Sequence, residues 1–128
     1  MKYALRYLGL AALVMLGLSR PALAQQGPPP FVRLAVLDID PAQMEQFNAA
    51  IKEGVEAAVR LEPGVIALYA VAEKGRPNRV RVFEMYTTPE AYQAHLQTPH
   101  FRKFRHTTDK MVTSRALSDG VPIVLGAK

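Results

Sequence analysis

The sequence contains no cysteine and no tryptophan among its 128 residues. Without cysteine the chain has no disulfide, no thiolate zinc site, no iron–sulfur cluster and no cysteine nucleophile. Without tryptophan it has no tryptophan-lined cage for a cation. Hydrophobic residues make up 49% of the chain and charged residues 21%, which is typical of a globular protein. A chain of this length fits one compact domain.

The first 24 residues have the pattern of a signal peptide. Lys2 and Arg6 form a basic start, residues 8–18 are apolar, and residues 22–24 (ALA) fit a small-x-small cleavage site. The apolar stretch is shorter than the roughly 20 residues of a membrane-spanning helix. We therefore expect cleavage after Ala24, export to the periplasm or beyond, and no stable membrane anchor. A retained anchor or a buried N-terminal helix is the alternative.

Removing residues 1–24 also changes the charge balance. The remaining residues hold thirteen basic against eleven acidic side chains, a net charge of +2. So small a net charge gives no case for a nucleic-acid partner. Residues 25–30 are Gln, Gly and Pro only, which predicts a flexible leader. Residues 31–128 are expected to form the domain.

Hydrophobic periodicity predicts the element order β-α-β-β-α-α-β. Strands are expected over residues 31–39, 65–72, 79–87 and, as an edge strand containing Pro122, 121–125. Helices are expected to start at Asp40-Pro41, Thr88-Pro89 and Thr98-Pro99, the first ending near Leu61 and the last carrying an apolar stripe through Val112. This order predicts a ferredoxin-like α+β sandwich, an antiparallel sheet with helices on one face.

The second predicted strand, residues 65–72 (VIALYAVA), is apolar at every position. A strand that is apolar on both faces must be covered on both. One helix layer covers one face of a sheet in a domain this small. We therefore expect a homodimer in which two sheets pack face to face.

The segment from Glu62 to Phe104 resembles the antibiotic biosynthesis monooxygenase domain. The matching features are the EPG turn, Glu84 on its strand, the TPEAY helix start, and AHLQTPHF with His95 and His100. The likeness extends more loosely over residues 32–112. It implies a dimeric α/β barrel and cofactor-independent oxygenation, by O2, of a quinol or a related small aromatic substrate. The family also includes haem-degrading enzymes and an isomerase-like branch.

The residues themselves offer a candidate acid–base site. Glu84 and Tyr86 share a strand face with Val80 and Val82, so the pKa of Glu84 should rise if that face meets the helices and the carboxylate is unpaired. His100 lies at a helix start, where the dipole favours a neutral imidazole that can act as a base. Glu84 or His95 would fix its tautomer.

Three further side chains are candidates for substrate binding. Tyr86, Tyr69 and Phe104 would form an aromatic wall. Arg105 belongs either to a solvated helix face or to an anionic substrate's binding site. Structural roles stay open for every candidate: Glu84 as partner of a buried donor, His95 as a bridge between helix and sheet, and His100 as a packing residue.

No metal or organic cofactor is expected. His95, His100 and His106 are spaced by five and six residues, which does not place two on one face of a helix. No phosphate-binding loop or dinucleotide fingerprint is present, so a flavin or nicotinamide site is not indicated.

Two alternatives to the oxygenase remain. The first is a dimeric module that binds a small hydrophobic ligand without chemistry, since fold does not fix function. The second is the haem-degrading branch. The resemblance implies that this branch has a tryptophan where this sequence has Tyr86, an axial histidine where it has Arg105, and an asparagine on the first strand. The sequence departs from that pattern at all three places.

Overall fold

The computed structural model describes residues 27–128, and the predicted signal peptide lies outside these residues. They form four strands and three helices in the order β1–α1–β2–β3–α2–α3–β4. The bounds are β1 Phe31–Ile39, α1 Met44–Leu61 after a 3-10 turn Pro41–Gln43, β2 Val65–Glu73, β3 Arg76–Tyr86, α2 Pro89–His95, α3 Pro99–Thr108 and β4 Val112–Gly120. Within residues 27–128, no helix is long and apolar enough to cross a membrane.

The four strands form one antiparallel sheet in the order β2-β3-β1-β4. The three helices pack on one face of it, which confirms the predicted ferredoxin-like α+β sandwich. The register places Glu84 at the centre, between Arg33 on β1 and Leu68 on β2.

The helices begin where the sequence predicts. Thr88 accepts a hydrogen bond from the backbone N–H of Ala91 at 3.1 Å, and Thr98 accepts one from Phe101 at 3.3 Å. Asp40 caps the 3-10 turn in the same way. A proline follows each of these caps, where its missing N–H costs nothing. The two Thr-Pro pairs therefore fix where α2 and α3 begin, and so where His95 and His100 lie.

The prediction for the last strand is wrong. The fourth strand is Val112–Gly120, paired with β1 from Ile39 back to Val32, and residues 121–125 lie outside the sheet. The predicted segment is the apolar one, yet Ile123 is fully exposed. Strand β4 is polar and exposed along most of its length, because an edge strand is held by backbone pairing with β1 and needs little side-chain burial.

The core lies between the sheet and the helices and has two parts. One centres on Phe47 of α1 against Ile39 and Val80, and the other on Tyr86 with Ala58 and Tyr92. Phe47, Ile39, Ala58 and Tyr86 have no exposed surface. The candidate residues on β3 therefore lie under the helices.

The opposite face of the sheet is not covered by any helix among residues 27–128. Leu34, Tyr69 and Val71 on this face are 39%, 61% and 62% exposed. The Tyr69 ring lies 6.4 Å from that of Phe83 on the neighbouring strand. The exposed large side chains on β1 and β2 show that the helices cover only one face of the apolar strand at residues 65–72. The homodimer that would cover the other face stays a prediction.

Candidate functional site

A cavity of about 110 Å³ lies between the helix side of the sheet and the helices, and it opens to solvent. Most of its wall is apolar, formed by Ala35, Leu37, Ile51, Gly54, Val55, Leu68, Val82, Tyr92, Leu96, Phe101, Phe104 and Leu117. Five polar side chains reach it: Arg33, Glu84, His95, Arg105 and Arg115. An apolar cavity with a few converging polar groups is the usual form of a small-molecule site.

Glu84 lines the cavity and is hydrogen-bonded to Tyr86, which lies beneath the cavity wall. The Tyr86 hydroxyl donates to Oε2 of Glu84 at 2.8 Å. Burial raises the pKa of Glu84, although the hydrogen bond from Tyr86 and the nearness of His95 and Arg33 oppose the rise. Burial and the nearby carboxylate also raise the pKa of the Tyr86 hydroxyl, so it stays a donor. Tyr86 is fully buried beneath the wall and does not line the cavity.

Arg33 places a positive charge beside this pair. Its guanidinium lies 4.7 Å from the centre of the Tyr92 ring, and its Nη1 forms an ion pair with Oδ1 of Asp119 at 3.0 Å. Its Nε is buried and has no hydrogen-bond partner among residues 27–128. The ring and the carboxylate hold the guanidinium in place at the cavity wall.

The two histidines meet at Glu62, a residue that the sequence analysis used only as part of the EPG turn. Nδ1 of His95 lies 2.8 Å from Oε1 of Glu62, and Nε2 of His100 lies 2.5 Å from the same oxygen. The three side chains are only 9–15% exposed. An ionised carboxylate only accepts hydrogen bonds, so each of these ring nitrogens carries a proton. Neutral His95 then has its lone pair on Nε2.

The EPG turn carries Glu62 to this position. Glu62 follows the last residue of α1, and its backbone N–H donates to the carbonyl of Ala58 at 3.0 Å. Gly64 packs directly against α2, because a Cβ added there would lie 2.5 Å from the Cβ of Ala91. A glycine at this point therefore lets the turn approach α2 closely enough for Glu62 to reach His95.

His95 and His100 face different spaces. His95 lines the cavity, with its ring centre 4.7 Å from that of Phe101 and 5.5 Å from that of Tyr86. His100 instead lines a groove between α1 and α3, together with Lys103. The predicted base is thus not a lining residue of the cavity that His95 and Glu84 line. Its hydrogen-bond partner is Glu62, where the sequence analysis expected Glu84 or His95.

Of the remaining predicted residues, two line the cavity and one lies on the other face of the sheet. Phe104 and Arg105 both line the cavity, which keeps open the substrate-binding role considered for each of them. Tyr69, which the sequence predicts in the same wall, lies instead on the opposite face of the sheet. Its neighbour Leu68 faces the cavity, and successive residues of a strand point to opposite faces.

Comparisons with known proteins show which family the chain is similar to. Residues 30–107 match the family described as antibiotic biosynthesis monooxygenase. A protein of Bacteroides thetaiotaomicron assigned to the same class is 47% identical, over 78% of this chain and 95% of that one, with a TM-score of 0.75. A protein of Lactobacillus acidophilus described as a monooxygenase is 30% identical, over 70% of this chain and 43% of that one, with a TM-score of 0.69. A search of curated proteins finds no significant match.

Proposed function

The chain belongs to the antibiotic biosynthesis monooxygenase family, and on this premise we propose that it oxygenates a small phenolic substrate with O2 and without a cofactor. The observation that carries the proposal is the Glu62–His95 pair at the cavity wall. A single-ring quinol is the substrate class that the proposal names. The base is assigned to His95, with Glu62 as its positioning residue, instead of to His100.

His95 is placed to remove a proton from a phenol. Its Nδ1–H is held by the Glu62 carboxylate, and its Nε2 has no hydrogen-bond partner among the described residues. A carboxylate on the far nitrogen fixes the tautomer and stabilises the imidazolium that forms when Nε2 takes a proton, which is the role of the aspartate in a Ser-His-Asp triad. Such general-base catalysis contributes roughly 10²–10⁴-fold to a rate.

The reaction balances without a reductant. Loss of a phenolic proton to His95 gives an electron-rich anion that can pass an electron to O2. A quinol and O2 then yield a hydroxyquinone and water: one oxygen atom forms the new C–O bond and the other leaves as water. All four electrons come from the substrate. Nothing in this balance requires a flavin or a nicotinamide.

The cavity supports a small, mainly apolar substrate. Its volume of about 110 Å³ is of the same order as the engineered apolar cavity of roughly 150 Å³ that binds benzene. Arg105 and Arg115 are the lining cations besides Arg33. They would stabilise the phenolate that deprotonation creates.

The experiment measures O2 consumption by chelator-treated protein supplied with single-ring quinols. We expect turnover above autoxidation, at least about 100-fold slower after His95→Gln, and unchanged after His106→Gln, a matched change at an exposed histidine. Full turnover by His95→Gln would contradict the assignment of the base. No turnover, with a quinol-dependent rise in melting temperature, would favour the binding module instead.

We also propose that two copies pack through the uncovered sheet face, with Tyr69 and Val71 at the interface. The exposed apolar side chains of this face support the proposal.

Export after cleavage at Ala24 is proposed from residues 1–24 alone. N-terminal sequencing of the protein isolated from its host should begin at Gln25. A chain that starts at Met1 would contradict export by this route.

A further inference from the structure

We infer that Glu62, His95 and His100 form a binding site for a divalent first-row transition metal such as Zn²⁺. The proposed oxygenation needs no metal, so this inference goes beyond it and does not depend on it. Two imidazoles and one carboxylate are the protein ligands of many catalytic zinc sites and of non-haem iron sites.

The three side chains converge from three separate elements. Glu62 follows α1, His95 ends α2, and His100 lies in the first turn of α3. Both ring nitrogens point at the same oxygen, Oε1 of Glu62, and one ligand atom from each residue lies within 4.8 Å of the other two. The elements around the cluster therefore already bring together a carboxylate and two imidazoles, with no change of fold.

The spacing of the histidines does not exclude this site. The expectation of no metal rested on two histidines sharing one helix face, as in i, i+4 pairs. His95 and His100 belong to two different helices joined at Gln97-Thr98, so that spacing rule does not apply to them. The carboxylate comes from a third element, more than thirty residues earlier. The sequence pattern alone therefore gives no sign of the site.

The distances require only a small adjustment. Ligands held at roughly 2.0–2.1 Å from a tetrahedral zinc lie about 3.3 Å apart. The present oxygen–nitrogen distances of 2.5 Å and 2.8 Å are those of hydrogen bonds. Displacements of about 1 Å at the three ligand atoms would bring them to this spacing and admit the ion, with solvent filling the remaining positions.

Charge favours a cation over an anion at this point. Glu62 brings one negative charge, and the three ligand side chains are only 9–15% exposed, so water screens that charge weakly. A bound dication would displace the protons from Nδ1 of His95 and Nε2 of His100 to the opposite ring nitrogens. His95 would then carry its proton on Nε2 and could not act as a base there. The metal-bound form and the base-competent form are thus alternative states of one cluster.

Metal binding can be measured directly on untagged protein, freed of metal by a chelator and then dialysed. Co²⁺ is followed by its visible absorption and Zn²⁺ by calorimetry. We expect one ion per chain, and Glu62→Gln and His100→Gln should each weaken binding more than 10-fold, since even residues behind the ligands contribute 10–100-fold. His106→Gln is the matched control and should bind as the unaltered protein does. Circular dichroism checks that each variant is folded.

Three results would overturn the site: no saturable binding by the unaltered protein, equal binding by folded His100→Gln, or loss of binding in His106→Gln. If Glu62→Gln does not fold, His100→Gln decides, because it leaves the Glu62–His95 bond in place. None of these measurements uses a substrate. Failure of the metal site would therefore leave the test of the oxygenase untouched, and failure of the oxygenase would leave the metal site untouched.

Discussion

The two faces of the sheet differ in what surrounds them: the helices cover one face, and the other is exposed. On the helix side, β3 carries Glu84 and Tyr86, which are bonded to each other under the cavity. On the open side, the alternating residue Phe83 lies beside Tyr69, with Val71 further along β2, in an exposed apolar surface. Alternation along a strand thus separates the lining of the cavity from an exposed apolar surface, one residue apart.

Charged residues behave differently on the two faces as well. Arg81 on the open face pairs with Glu73 at 2.8 Å while 61% of its side chain stays exposed. Surface pairs of this kind contribute about 0–1 kcal/mol. Glu84, in contrast, is buried enough for its pKa to rise. The exposed Arg81–Glu73 pair therefore contributes little to stability, whereas burial perturbs the Glu84 carboxylate.

The largest expected effect comes from the helix-side core. Phe47→Ala should lower the free energy of unfolding by about 3–5 kcal/mol, because the ring is fully buried. Val59→Ala, at a site 54% exposed on the same helix, should change it by less than about 0.5 kcal/mol. Urea titration measures both. Equal costs would mean that burial in this structure does not describe the protein's core.

The proposed dimer interface on the open face of the sheet is tested by introducing a charge there. Val71→Lys should raise the dimer dissociation constant by at least about 100-fold, or about 2.7 kcal/mol, because it would bury an unpaired ammonium group between the sheets. Light scattering coupled to gel filtration measures the mass. Val59→Lys, on the outer side of α1, is the control and should leave the dimer intact. A dimer unaffected by Val71→Lys would contradict the proposed interface.

The close approach of the EPG turn to α2 is tested by adding one methyl group at Gly64. Gly64→Ala should cost about 1–3 kcal/mol, since the new Cβ would overlap Ala91 and push the turn away from α2. Gly75→Ala is the matched control, because nothing lies within 4 Å of a Cβ at Gly75. Denaturation curves of both variants give the comparison. A harmless Gly64→Ala would show that the close approach is not required.

The smallest expected effect is a pH-dependent one at Glu84. The raised pKa means that the folded state binds a proton more tightly than the unfolded state, so Glu84 destabilises the fold as the pH rises through its folded pKa. Relative to the unaltered protein, Glu84→Gln should therefore gain stability between pH 4 and pH 7. The exposed Glu56→Gln should show no such trend. A difference for Glu84→Gln that falls with pH would reverse the sign of the argument.

Patterns that depend on local chemistry were readable from the sequence. The Thr-Pro pairs predict the starts of α2 and α3, and alternation along β3 predicts that Glu84 and Tyr86 share one face of the sheet. Contacts between distant elements were not readable. The meeting of Glu62 with His95 depends on how closely the EPG turn approaches α2, and strand β4 depends on backbone pairing with β1 rather than on its own hydrophobicity.

Isotope labelling tests the central claim most directly. Chelator-treated protein is given a single-ring quinol under ¹⁸O2, and the product is analysed by mass spectrometry after a rapid quench. The account predicts a hydroxyquinone that contains one ¹⁸O atom, formed by the unaltered protein and lost in His95→Gln. Unlabelled quinone with hydrogen peroxide, or labelled product formed equally by His95→Gln, would contradict cofactor-free oxygenation through the Glu62–His95 pair.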